Sequence, residues 1–248
     1  MISAAPVPTP PTQPLSEFER VVDTFVAPSK TFTDLRRSAK WLVPVLLLVI
    51  FTEALVFVAD RKVGFEKIAE NGLILQPKAA ARLDQLPPEQ RAKQMETAVK
   101  VTAVSSYLSP AIIIVILLIV AAVLFCTFNY GFGSELTFNQ CVAVVMYASL
   151  PGIIKSLLAI LALVAGSGEG FMIQNPLASN LSPFVSPSSS FLYSIALNLD
   201  LFTIWTLALS GIGFACLTKI KLGICLGIVF GWWAIWVLGL GGISAAFS

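Results

Sequence analysis

The chain has 248 residues, of which 56% are hydrophobic and 12% charged, and its mean hydropathy of +0.84 implies more apolar surface than one soluble core can bury. A formal charge of +2, with acids mixed among the bases rather than a basic stripe, argues against a nucleic-acid partner. The absence of any histidine removes Ser-His-Asp and Cys-His catalysis, His-ligated zinc and histidine pH sensing.

The first fourteen residues hold five prolines, Pro6, Pro8, Pro10, Pro11 and Pro14, and residues 1–15 read as a disordered Pro/Thr-rich tail. With no apolar core in this stretch, no cleavable signal is expected and the first span doubles as the targeting signal. Residues 16–40 form an amphipathic segment. Phe18, Val21, Val22 and Phe25 recur at helical spacing, with Glu17, Glu19, Arg20 and Asp23 on the opposite side, and the set is short enough to lie on a membrane rather than cross it. Pro28 is expected to end this helix. Thr31 with Asp34 has capping-box spacing for a second short helix leading through Phe32, Leu35, Arg36 and Arg37 to the first span.

Five apolar segments follow, at about residues 41–59, 110–128, 141–165, 191–217 and 222–240. Each has nineteen or more residues, against the ~20 that a ~30 Å hydrocarbon layer requires. The expected fold is an all-α integral membrane bundle of five helices, with residues 41–243 as its membrane domain and the lipid bilayer as its first partner. The hydrophilic loop 60–107 carries eight Lys/Arg and six Asp/Glu. Pro77 and the Pro87-Pro88 pair divide it, and a helix starting at Pro88 is predicted to run directly into the second span. Residues 167–190, with Pro176, Pro183 and Pro187 and Glu169 as their only charge, read as an irregular loop. Arg36, Arg37 and Lys40 abut the first span. They favour an inside N-terminus, and an odd number of spans then puts the C-terminus outside.

Glu53, Lys155 and Asp200 interrupt apolar spans, where each charge costs roughly 2.5–3.5 kcal/mol on insertion scales and should face protein or water. Counted from the inner ends of their spans at ~1.5 Å per residue, they sit ~18, ~21 and ~26 Å deep. Lys155 is expected to pair with Asp200, with Glu53 as the alternative partner, either as a structural ion pair or as a proton or ion relay. Pro151 predicts a kink that frees the Tyr147 carbonyl. Gly223, Gly227 and Gly231 form two overlapping G-x-x-x-G spacings suited to close helix contact, within the chain or in a homo-oligomer. Cys126, Cys141, Cys216 and Cys225 lack metal or disulfide spacing and read as packing residues. No nucleotide-binding, hydrolase or metalloprotease motif is present, so no cofactor and no enzymatic activity are expected.

Three stretches resemble a known family. They are residues Phe25-Val26-Ala27-Pro28-Ser29-Lys30-Thr31-Phe32 running through Asp34-Leu35 to Trp41-Leu42-Val43-Pro44, then Tyr147-Ala148-Ser149-Leu150-Pro151, then Asp200-Leu201-Phe202-Thr203-Ile204-Trp205 with Gly211 and Gly213 beyond. In order and spacing they are similar to the Yip family of Ypt/Rab-interacting membrane proteins, in the five-span form of its bacterial members. The resemblance implies a five-helix membrane domain, a cytoplasmic N-terminus and a non-enzymatic role, which in eukaryotic relatives concerns small-GTPase recruitment and vesicle trafficking. The expected function is a scaffold or adaptor in a bacterial cytoplasmic membrane, reaching partners through residues 16–40 or 60–107. A small-solute or ion transporter using Glu53, Lys155 and Asp200 is the alternative.

Overall fold

The computed structural model describes residues 13–73, 77–186 and 190–247. Most of the Pro/Thr-rich tail and Pro187 lie outside the described residues. Eleven α-helices are described: α1 (Glu17–Val26), α2 (Pro28–Asp34), α3 (Leu42–Lys62), α4 (Phe65–Gly72), α5 (Pro77–Asp84), α6 (Pro88–Cys126), α7 (Phe138–Ala148), α8 (Pro151–Val164), α9 (Ser190–Asn198), α10 (Leu201–Leu217) and α11 (Leu222–Phe247). The protein is an all-α membrane bundle. Four helical stretches are long and apolar enough to cross a bilayer, namely Leu42–Lys62, Pro88–Gly131, Phe138–Val164 and Leu222–Gly242, and Leu201–Leu217 is a shorter apolar helix.

The longest helix, α6, has 39 residues, about 58 Å at the α-helical rise and close to twice a hydrocarbon layer. Its first turns are polar and carry Glu89–Lys93 and Glu96–Lys100 ion pairs at 3.2 and 2.6 Å, the i,i+4 order that supports an exposed helix. The apolar half continues through Pro110 without interruption and ends in a π turn, Thr127–Gly131.

The chain divides into two compact units. The first comprises Met1–Val49, Ala111–Gly152 and Phe202–Ile235, and its centre is α7, whose residues Cys141 to Ala148 are all buried. Phe128 stacks on Phe214 with ring centroids 4.5 Å apart, and Trp232 donates to the Thr127 hydroxyl at 3.0 Å. The close contacts of α10 depend on its glycines. A Cβ on Gly213 would stand 2.5 Å from Val144 Cγ1 and 3.1 Å from the Phe32 ring, and one on Gly211 would stand 2.5 Å from Leu226 Cδ2.

By contrast, a Cβ on Gly223, Gly227 or Gly231 would meet nothing within 4 Å. The close approach that the G-x-x-x-G spacings permit is therefore not made within the described residues; the tightest glycine contacts are those of Gly211 and Gly213 on α10, and on α11 a Cβ on Gly241 would stand 3.0 Å from the Phe191 ring. The reason is rotational: buried Cys225 and Val229 turn one face of α11 inward and leave the glycine face outward. Gly213→Ala is expected to cost about 1–3 kcal/mol through overpacking. Gly227→Ala should change stability by less than about 0.5 kcal/mol, with thermal midpoints in mild detergent as the readout. Equal midpoints for the two variants would contradict this assignment.

The helix break before Pro151 also has a local cause. Pro151 cannot donate, yet the Tyr147 carbonyl accepts from the Leu150 amide at 3.1 Å, and the Ser149 hydroxyl caps the Val145 carbonyl at 2.8 Å. The kink leaves those two carbonyls satisfied.

The second unit comprises Ile50–Pro110, Ile153–Leu201 and Trp236–Ser248. Its core joins Leu55 and Ala59 of α3, Ile68 of α4, Ala159 and Leu163 of α8, and Phe171 of the following loop. Asn71 donates to the Phe171 carbonyl at 2.9 Å, tying α4 to that loop.

Candidate functional site

In the first unit the N-terminal helices build a polar core. Ser16 and Glu19 form a reciprocal capping box that starts α1: the Ser16 hydroxyl accepts from the Glu19 amide at 3.2 Å, and Glu19 Oε2 accepts from the Ser16 amide at 2.8 Å. Val26 is its last residue, and Pro28 opens α2 at a position where a missing amide proton costs nothing. Thr31 therefore lies inside α2 and does not cap a helix with Asp34, as its spacing had suggested. Instead its hydroxyl and that of Thr24 both donate to the Arg20 carbonyl, at 3.0 and 2.7 Å.

α1 has the expected helical period: Phe18 and Val22 face outward, Val21 and Phe25 are half-buried, Arg20 turns inward and Glu19 stays exposed. Arg20 and Thr24 are 2% and 0% exposed, whereas Phe18 and Val26 are 77% and 74% exposed. Polar residues turn inward because partners wait there. Arg20 Nε and Nη2 donate to Asp34 Oδ2 at 2.9 and 2.7 Å, and Nη1 donates to Glu17 Oε1 at 3.3 Å. Glu17 Oε2 in turn accepts from the Tyr147 hydroxyl of α7 at 2.8 Å. Burial works against the Arg20 charge, but the hydrogen bonds and charge of Asp34, with Glu17, outweigh it and hold the guanidinium above its ordinary pKa. Arg36 donates to the Cys216 carbonyl at the C-terminal end of α10, where a cation also suits the helix dipole. Phe25 meets Trp205 edge to face at 5.7 Å.

Beside this core, Trp41 Nε1 donates to Asn139 Oδ1 at 2.8 Å and Asn139 Nδ2 donates to the Ala39 carbonyl at 2.9 Å. These bonds fix the connection from α2 to α3. An open cleft of about 730 Å³ lies there, with Glu17, Lys40, Trp41 and Asn139 among its lining residues.

The stretch 191–217 is two helices, α9 and α10, with Asp200 between them and 2% exposed, and Asp200 lies with Lys155 and Ser179 in the second unit. Asp200 Oδ2 accepts from Lys155 Nζ at 3.1 Å and from the Ser179 hydroxyl. The loop after α8 fills the break with backbone: the Leu201 amide donates to the Ser179 carbonyl at 3.0 Å and the Leu181 amide to the Ala196 carbonyl at 3.1 Å, while Asn180 and Asp200 form an isolated bridge. Interrupted backbone at membrane depth requires such partners.

Of the three charges singled out in the spans, Lys155 and Asp200 meet. Glu53 is partly exposed and makes no ion pair among the described residues. Ser179 and Asn180 were hidden in an apparently irregular loop, and Arg20 in an apparently solvated face. The available signal for Arg20 was Thr24 one turn on, a second polar residue opposite Phe18, Val22 and Val26. All four cysteines are free, and no three Cys, Asp or Glu among the described residues are grouped to hold a metal.

The Yip1 domain family model matches residues 22–244, from the middle of α1 to near the end of α11. No curated protein and no solved structure matches the chain.

Proposed function

The chain belongs to the Yip1 domain family, and from that premise we propose that it is a non-catalytic scaffold or adaptor that organises membranes or their traffic. The family is a membrane-protein family, not an enzyme family, and its members interact with Rab proteins. In this reading the chain crosses a bacterial cytoplasmic membrane five times, with the N-terminus inside and the C-terminus outside, and residues 16–40 or 60–107 meet its partners.

The observation that carries the reading is the outward apolar face of α1. Phe18, Val22 and Val26 are exposed on a helix whose polar side is already bonded within the protein. A helix that merely covered the bundle would turn this face inward. With Lys30, Arg37 and Lys40 exposed nearby, the face suits the headgroup and acyl boundary of a bilayer. In full-length protein reconstituted into liposomes, an environment-sensitive fluorophore on Val22→Cys should emit blue-shifted light and be quenched by brominated acyl chains. The same probe on Glu19→Cys should not be quenched. Equal solvent exposure of both probes would refute this placement.

Transport is the second reading, favoured by one feature: a helix broken at a buried acid, as in transporters with discontinuous spans. Solute or ion flux into proteoliposomes that disappears with Lys155→Met would support it over the scaffold.

A further inference from the structure

We infer that the cleft between the start of α1 and the start of α3 is a binding site for the headgroup of a zwitterionic phospholipid. The inference rests on the reading that this end of the bundle lies at the membrane surface. It adds a ligand to a surface that the scaffold reading leaves general.

The cleft carries one acid and one base that do not meet. Glu17 and Lys40 both line it, yet among the described residues Lys40 forms no ion pair and Glu17 pairs only with Arg20. Elsewhere in the same segment nearby charges do close on each other, as Lys30 does on Asp23 at 2.8 Å. Two unlike charges that line one cavity without pairing match a ligand that brings an anion and a cation of its own. A phosphate suits the Lys40 ammonium. An ethanolamine or choline nitrogen suits the Glu17 carboxylate and the Trp41 ring, since an aromatic face attracts ammonium groups.

The walls are set before any ligand arrives. Glu17 is held by the Tyr147 hydroxyl at 2.8 Å and by Arg20 at 3.3 Å, leaving its side chain 33% exposed. Trp41 and the Ala39 carbonyl are held by Asn139. A preorganised site loses less entropy on binding, and about 730 Å³ falls within the ~300–1,000 Å³ usual for small-molecule sites. Position points to a lipid rather than a soluble zwitterion. The cleft's remaining wall includes Leu42 and Val43, the first residues of an apolar helix able to cross the bilayer. Leu42 is 64% exposed, so acyl chains can run on from the headgroup along α3. Trp41 stands at the boundary where amphipathic rings concentrate.

The test is native mass spectrometry of the full-length protein released from mild detergent, titrated with phosphatidylethanolamine or phosphatidylglycerol. The expected result is at least tenfold tighter retention of phosphatidylethanolamine, lost in Lys40→Gln. Glu17→Gln should remove the preference over phosphatidylglycerol while leaving phosphate binding, with a single cooperative thermal transition certifying the fold of both variants. Equal retention of the two lipids by the wild type, or retention indifferent to both substitutions, overturns the site. Displacement of the lipid by an equal concentration of glycerophosphoethanolamine overturns the lipid as source and makes the ligand soluble. The Val22 probe decides the membrane placement separately: a quenched probe without lipid preference refutes the cleft alone.

Discussion

Arg20→Ala in the full-length protein is expected to destabilise the N-terminal cap by about 3–5 kcal/mol, the usual cost of removing one partner from a buried ion pair. Asp34 is 0% exposed and takes both of its Arg20 hydrogen bonds on one oxygen, and its other oxygen has no hydrogen-bond partner. Without the guanidinium the carboxylate is buried with no compensating cation beside it. The loss spreads, because Arg20 also positions Glu17 against Tyr147. Arg20→Lys should recover only part of the stability, since one ammonium does not reproduce the two donors aimed at Asp34. Replacing both partners by apolar residues, Arg20→Met with Asp34→Leu, should restore only part of it, because no buried charge is then left at position 34 while Glu17 loses its cation and keeps the Tyr147 hydrogen bond. Limited proteolysis within residues 16–40 and the thermal midpoint in mild detergent read the effect. An Arg20→Ala protein with wild-type protection and midpoint would show that the pair is incidental.

Reversing either Lys155 or Asp200 alone should cost a comparable 3–5 kcal/mol, and reversing both should rescue a substantial part. A single reversal sets two like charges about 3 Å apart where water is scarce, whereas the double reversal restores one cation and one anion. Rescue will be incomplete because the Ser179 hydroxyl, the Asn180 bridge and the Leu201 amide bond are arranged around an acid at position 200. Folded yield in membranes and resistance to denaturing detergent are the measurements. Failure of any rescue would sink the pairing as an energetic unit. A rescued protein also separates the two functional readings: a structural pair keeps its role in either polarity, while an ion path built on an acid at position 200 does not.

Much of the bundle was legible because lipid imposes long uninterrupted apolar runs that a one-dimensional scan detects. The helix starting at Pro88 and the break at Pro151 were legible too, since proline's missing donor acts locally. Less legible was everything that depends on which way a helix faces. The period of α1 announced two faces without saying that Arg20 of the polar one is buried against Asp34 while Phe18 and Val22 of the apolar one stay exposed. The G-x-x-x-G spacing of α11 marked a helix face suited to contact without saying what meets it. Gly211 and Gly213, which make the tightest contacts, stand in a shorter spacing that no contact rule selects.

The sequence by itself determined the class of the molecule, its family likeness and the apolar stretches long enough to cross a bilayer, because these follow from composition and residue order along the chain. Tertiary structure alone decided that Arg20 meets Asp34, that Tyr147 reaches Glu17, and that Ser179 and Asn180 complete the setting of Asp200. Those partners lie 14, 130, 21 and 20 residues apart, and no local propensity connects them. They meet because a charge or hydroxyl taken out of water must find a partner wherever the packing of the helices brings one within reach.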